Sequence, residues 1–268
     1  MNAEIPKLIH YCWFGKGPKP KLAEECIASW KKFLPGYEIR EWNEDNYDVN
    51  VIPYTAEAYE AKKYAFVSDY ARFDILYKHG GIYFDTDVEV VREMDDVIAR
   101  GAFMGLERDP EFGLDCKLPP DEASHRAAAN PGLGLGCAPG LGLYKAILDN
   151  YSRLHFTCGE NPPTVVDIVT NLLLAHGLQV KPGIMQFEGI SIYPREYFNP
   201  LCDDGKIRIT PNTISIHHYA ASWYSPKKKF LKWIDATFGR CAYKCAALLM
   251  HNPFYIVMRV NRYLRTGK

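Results

Sequence analysis

The chain has 268 residues, a formal net charge of zero and 47% hydrophobic residues. That length buries a full core, best as one large domain with a C-terminal appendage rather than two equal domains, and the charge balance excludes the global basic field of a nucleic-acid binder. The eight cysteines are scattered without a Cys-x-x-Cys pair, which favours reduced, buried thiols over disulfides or a zinc site. The N-terminus shows neither a long apolar run nor a basic stretch followed by one, so no signal peptide or anchor is expected and cytoplasmic residence is the default. Lys7 to Trp13 reads as a strand, Lys21 to Phe33 as an amphipathic helix, Tyr37 to Trp42 as a second strand, and Pro53 to Lys62 as another helix. A helix from about Ala65 to His79 carries an apolar stripe of Phe66, Tyr70, Phe73 and Leu76 or Tyr77. A strand over residues 82–85 follows, then a short helical turn at Asp95–Ile98 and a strand from Ala102 to Leu106. The glycine run Gly132, Gly134, Gly136 lacks the lysine and the strand-to-helix context of a phosphate loop, and reads as a flexible or tightly packed loop. Leu141 to Leu154 and Thr164 to His176 read as helices, and Ile214 to His218 as a strand leading into a loop.

The chemistry concentrates at Gly80-Gly81-Ile82-Tyr83-Phe84-Asp85-Thr86-Asp87. In extended backbone alternate side chains share a face, so Asp85 and Asp87 can reach one cation. Carboxylate oxygens suit Mg²⁺ or Mn²⁺, and a site with few protein ligands leaves positions for the phosphates of a nucleotide. A solvated turn or a helix cap is the plainer reading of such a pair. Asp69 and Arg72, three apart on the preceding helix, are either a surface ion pair or a carboxylate for sugar hydroxyls beside a guanidinium for phosphate oxygens.

The spacing Ser68-Asp69-x-x-Arg72, then Gly80-Gly81-x-Tyr83-x-Asp85-x-Asp87, resembles glycosyltransferase family 32. That family includes capsular polysaccharide transferases and fungal outer-chain mannosyltransferases, and its core is similar to that of the large glucosylating bacterial toxins. The opening Ile5-Pro6-Lys7-Leu8-Ile9-His10-Tyr11-Cys12-Trp13-Phe14-Gly15 resembles the family's first strand and loop, and His217-His218-Tyr219-Ala220-Ala221-Ser222-Trp223 its closing motif. From about Arg108 to Gly183 little matches.

The resemblance implies a GT-A-like α/β domain over residues 1–225, with a central mixed, mainly parallel sheet flanked by helices, and a helical appendage over 226–268. It implies a retaining transfer of a hexose from a nucleoside-diphosphate sugar, UDP-sugar favoured, to a hydroxyl of a glycan or lipid-linked glycan in surface polysaccharide synthesis, with Mn²⁺ or Mg²⁺. Asp87 is the expected direct metal ligand, and Asp85 bridges sugar or ribose hydroxyls and the metal shell. Arg72 steadies the departing diphosphate, and Asp69 and Tyr83 line the donor pocket. Trp13 stacks on the base, with core packing as its alternative. Only one of two adjacent strand histidines faces a given side, and the resemblance to the His-aromatic ending of related transferases favours His218 as the metal ligand, with His217 in the core or behind it. Ser222 and Trp223 are expected to hydrogen-bond the diphosphate. Glu107 and Asp167 are acceptor-side carboxylates between which the sequence does not choose. Two rival classes are a non-catalytic nucleotide-sugar or glycan-binding module, and metal-dependent phosphoryl or nucleotidyl transfer. The tail from Lys227 to Lys268 is rich in lysine, arginine and aromatic residues, with Asp235 as its only acid. It suits peripheral contact with an anionic membrane, the alternative being terminal helices packed on the domain.

Overall fold

The computed structural model describes residues 4–109, 127–157, 159, 162–201 and 206–220; the tail beyond 220, with Ser222 and Trp223, lies outside them. In chain order the elements are β1 (Leu8–Cys12), α1 (Lys21–Phe33), β2 (Glu38–Trp42), α2 (Pro53–Glu60), α3 (Tyr64–His79), β3 (Gly81–Tyr83), β4 (Val88–Val90), α4 (Asp95–Ile98) and β5 (Phe103–Arg108). There follow β6 (Ala128–Ala129), a 3-10 turn (Pro131–Leu133), β7 (Leu135–Cys137), α5 (Gly142–Tyr151), α6 (Val165–Ala175), β8 (Met185–Phe187), β9 (Ile190–Tyr193), α7 (Arg195–Phe198) and β10 (Ser215–His217). The main sheet runs β2-β1-β3-β7-β5-β9-β8, with β6 on β5; β10 pairs separately with β4. Strands β2, β1 and β3 are mutually parallel, and β7 runs against both β3 and β5. Two reversals restore direction, so the carboxyl ends of β1, β3 and β5 share one edge. That edge is where open α/β sheets bind ligands. This is the GT-A-like α/β architecture expected from the sequence.

Local chemistry explains how the edge is built. In α1 the buried positions Ala23, Cys26 and Trp30 recur at helical spacing. Trp30 is fully buried and packs against Tyr11 and Phe84, while its indole N–H donates to the Val88 carbonyl at 2.8 Å. The helix is thereby fixed onto the segment that carries the carboxylates, and Trp30→Ala would cost about 3–5 kcal/mol. Helix α3 differs from the single-stripe expectation, for it is buried from Phe66 to Leu76 apart from Ser68. It packs on β1, β3, α2 and α5, so its charged residues must find partners inside the protein. Asp74 does so with the Tyr47 hydroxyl (3.2 Å) and Lys78 (2.8 Å).

The helix stops at Gly80 and Gly81, whose φ values are 64° and 99°. A Cβ on Gly81 would lie 2.7 Å from the Leu8 carbonyl oxygen, and one on Gly80 2.9 Å from that of Cys137. Glycine at both positions therefore supplies the left-handed turn and the space that let β3 slot between β1 and β7. The strand ends at Tyr83 rather than at residue 85, because the chain turns there toward β4.

Candidate active site

Beyond β3 the Phe84 amide still donates to the His10 carbonyl (3.1 Å), and the Val88 amide to the Asp85 carbonyl (3.0 Å). Asp85 and Asp87 thus stand on a short turn at the sheet edge, leading into β4. The antiparallel β4–β10 pair sets His217 opposite Val88, and His217 Nε2 lies 3.1 Å from Asp87 Oδ1. Ligand atoms of Asp85, Asp87 and His217 all lie within 4.8 Å of one another. The same C-terminal segment wraps Asp87 further: the His218 amide donates to its carbonyl (2.9 Å) and the Ala220 amide to Oδ2 (2.8 Å).

The expectation for the two histidines is reversed. His218 turns away to Glu89, Nε2 to Oε2 at 2.9 Å, and His217 joins the carboxylates. Adjacent strand residues face opposite sides, and the β4 register decides which one faces inward. Burial pushes the Asp87 carboxyl up, but the His217 hydrogen bond and charge and the Ala220 amide outweigh it and leave it below the ordinary carboxylate value. Burial likewise lowers His217, and Asp87 more than offsets this and raises it.

Behind Asp85 lies a buried ionic layer. The Arg72 side chain is 3% exposed. Its guanidinium donates to Asp69 Oδ1 (2.8 Å) and the Ser68 carbonyl (3.1 Å), and reaches Asp85 Oδ1 (3.3 Å) and Oδ2 (3.5 Å). The Tyr83 ring lies 5.0 Å from the guanidinium carbon, and its hydroxyl donates to Asp85 Oδ1 (3.1 Å). Asp69, Arg72, Tyr83 and Asp85 are therefore one unit. Arg72 is committed to Asp69, Asp85 and the Ser68 carbonyl, and Tyr83, fully buried, sets its ring against Arg72 and its hydroxyl on Asp85. Burial raises Asp69 to about 7, with Arg72 opposing and Asp85 adding to the rise. Asp85 is raised for the same first reason, against Arg72 and with Asp87.

The glycine run supplies a contact that sequence reasoning missed. The Gly132 carbonyl accepts from the Asp85 amide (3.3 Å), and a Cβ on Gly132 would fall 2.3 Å from Asp85 Oδ2. Asn130 caps this turn, Oδ1 accepting from the Gly132 amide (2.7 Å), and its Nδ2 donates to Glu107 Oε2 (2.8 Å). Glu107, at the end of β5, is thus joined to the Asp85 turn. Asp167 is committed elsewhere, closing the N-terminal box of α6 with Thr164. Trp13 stands half-buried just past β1, with its indole N–H on the Gly17 carbonyl (2.7 Å). The one signal that could have found Gly132 is its place between Asn130-Pro131 and a strand, a turn signature whose partner no local pattern reveals.

Residues 20–104 match the family described as "Glycosyltransferase sugar-binding region containing DXD motif", a segment that carries Asp69, Arg72, Asp85 and Asp87. Inositol phosphoceramide mannosyltransferase 1 of Schizosaccharomyces pombe is 24% identical over 245 residues, covering 87% of this chain and 66% of that protein. Inositol phosphoceramide mannosyltransferase 3 of the same organism is 30% identical over 104 residues, 36% of this chain and 28% of that protein. The solved structure of PaToxG Glycosyltransferase superposes with a TM-score of 0.45 at 20% identity, over 66% of this chain and 71% of the other. The chain spans 28% and 66% of the lengths of these two curated relatives. The similarity to a glycosyltransferase sugar-binding region covers residues 20–104, and His217 lies outside the matched segment.

Proposed function

We propose that this glycosyltransferase region serves a metal-dependent, retaining hexosyltransferase that draws on a nucleoside-diphosphate sugar, UDP-sugar first, and glycosylates a hydroxyl of a glycan or lipid-linked acceptor in surface polysaccharide synthesis. The observation that carries the reading is the convergence of Asp85, Asp87 and His217 within 4.8 Å, backed by the buried Asp69–Arg72 pair. Two carboxylates and an imidazole are a donor set that suits Mn²⁺. A divalent ion held by these three residues would supply the charge that steadies a departing diphosphate. Asp85, oriented by Tyr83 and Arg72, offers oxygen atoms to sugar or ribose hydroxyls, and Arg72 acts through Asp85 rather than on phosphate directly. Trp13 offers an indole face to the base, and Ser222 and Trp223 donors to the diphosphate.

No residue is assigned as a covalent nucleophile. The acceptor oxygen bonds to the anomeric carbon on the face from which the diphosphate leaves, and a phosphate oxygen receives the acceptor's proton. The two relatives' names specify a mannosyl group and an inositol phosphoceramide, which supports a lipid-linked acceptor and adds a nucleoside-diphosphate mannose to the donors to test. Among the described residues no helix is long and apolar enough to cross a membrane; peripheral contact is assigned to residues 227–268.

The test is a thermal-shift panel of UDP- and GDP-sugars with and without Mn²⁺. A cognate donor at 100 times its Kd adds about 2.7 kcal/mol of stability, and Asp87→Asn removes the part that depends on Mn²⁺. No Mn²⁺-dependent stabilisation by any nucleotide sugar refutes the reading. Release of nucleoside monophosphate instead of glycoside formation would favour phosphoryl chemistry.

A further inference from the structure

Glu107 is held more firmly than an edge residue needs to be. Its side chain accepts from Asn130 through Oε2 (2.8 Å), and its backbone carbonyl accepts from Asn199 Nδ2 (3.0 Å). Asn199 is 2% exposed, so the anchor is an interior one. No described residue hydrogen-bonds Oε1, which leaves one carboxylate oxygen open on a partly exposed side chain. The chain of contacts Glu107–Asn130–Gly132–Asp85 ties this oxygen to the carboxylate turn. From across the edge, the charge of Glu107 acts on His217 and Tyr219. The arrangement is a preorganised acceptor of hydrogen bonds, carrying negative charge, beside the proposed metal ligands.

We infer that Glu107 reads the transferred sugar: Oε1 accepts hydrogen bonds from hydroxyls of a neutral hexose, and its charge disfavours a donor whose sugar bears a carboxylate. The inference rests on the donor-site reading above and names the sugar class that the site takes. A site built to pair with hydroxyls rejects a ligand that cannot supply them, because its polar groups then lose their partners.

The experiment is calorimetric titration in Mn²⁺ of the whole protein with UDP, GDP, UDP-glucose, UDP-galactose, GDP-mannose and UDP-glucuronate. Glu107→Gln keeps an oxygen for the Asn130 N–H and removes the charge. It should weaken the best neutral nucleotide sugar tenfold or more, change its nucleoside diphosphate less than twofold, and narrow the preference against UDP-glucuronate. Equal effects on sugar-bearing and sugar-free nucleotides, or none on either, overturn the assignment of Glu107 while leaving the donor site standing. Failure of the wild type to bind any nucleotide or nucleotide sugar overturns the donor site itself and the inference with it. Should the variant lose its thermal transition, the wild type decides alone: UDP-glucuronate should bind at least tenfold more weakly than the best neutral UDP-sugar, and comparable affinity refutes the inference.

Discussion

Replacing Arg72 by methionine tests the claim that Asp69, Arg72 and Asp85 are one energetic unit. The substitution keeps much of the apolar stem and deletes the guanidinium that contacts Asp69 at 2.8 Å and Asp85 at 3.3 Å. The Asp69 side chain, 10% exposed, is left as a buried carboxylate without a counter-charge, which costs about 3–5 kcal/mol near pH 8. The pH dependence has a definite sign. Asp69 is already raised to about 7 in the intact protein, so the folded state holds its proton where the unfolded chain, near 4, has lost it. Stability therefore falls as pH rises from about 4 through 7. Without Arg72 the folded carboxyl moves higher still, so the loss in the variant is larger at pH 8 than at pH 5.5. Urea unfolding followed by tryptophan fluorescence measures both. Asp69→Asn placed in the Arg72→Met background should recover at least 1 kcal/mol at pH 8, since no charge then remains at that position. A single variant costing under about 1 kcal/mol, or a double variant no more stable than the single one, refutes the unit.

Further outcomes follow from the geometry. His10 is fully buried, with Nε2 on the Gly80 carbonyl (2.9 Å) and Nδ1 accepting from the Trp42 indole (3.1 Å); burial lowers it to about 4, against the Gly80 hydrogen bond. Because the unfolded chain binds a proton near 6.5 and the folded one does not until about 4, stability falls by about 3 kcal/mol as pH drops through that window; His10→Gln should flatten the fall in acid titrations of the unfolding midpoint. Gly132→Ala should displace the Asp85 carboxylate, which a Cβ would approach to 2.3 Å, and weaken Mn²⁺-dependent donor binding tenfold or more; unchanged binding would place Asp85 outside the site. Trp13→Ala should weaken binding of the free nucleoside diphosphate and the nucleotide sugar alike, by about 1–3 kcal/mol, as read by calorimetry. The full chain should float with anionic vesicles at low salt and leave them at high salt, and a chain ending near Ser225 should not float; identical behaviour removes the membrane role.

The parts legible in the sequence are those written locally. The glycine–strand–carboxylate order and the helix from about Ala65 to His79 follow from period and punctuation within a few turns of chain. The burial of α3 on nearly every face was not legible, because its polar residues Asp69, Arg72 and Asp74 look solvated until their partners on and just beyond β3 and in the 43–51 loop are known. The choice between His217 and His218 turns on a one-residue parity set by a strand pair that joins positions far apart. Gly132 and Asn130 were invisible for the same reason: a glycine's worth as empty space depends on which atom arrives beside it, and here that atom belongs to Asp85.

The pairing of Val88–Val90 with Ser215–His217 also orders events during synthesis. Closing a loop of this length costs more entropy than the local pairings do, and contacts so distant in sequence form late. A nascent chain emerging from the ribosome carries Asp85 and Asp87 side by side long before the imidazole and amides that clasp Asp87 exist. Until residues 217–220 arrive, the two like charges stand without that clasp. The proposed donor site is therefore complete only once residues 217–220 have joined the Asp85–Asp87 turn, and a chain ending before β10 should lack Mn²⁺-dependent donor binding.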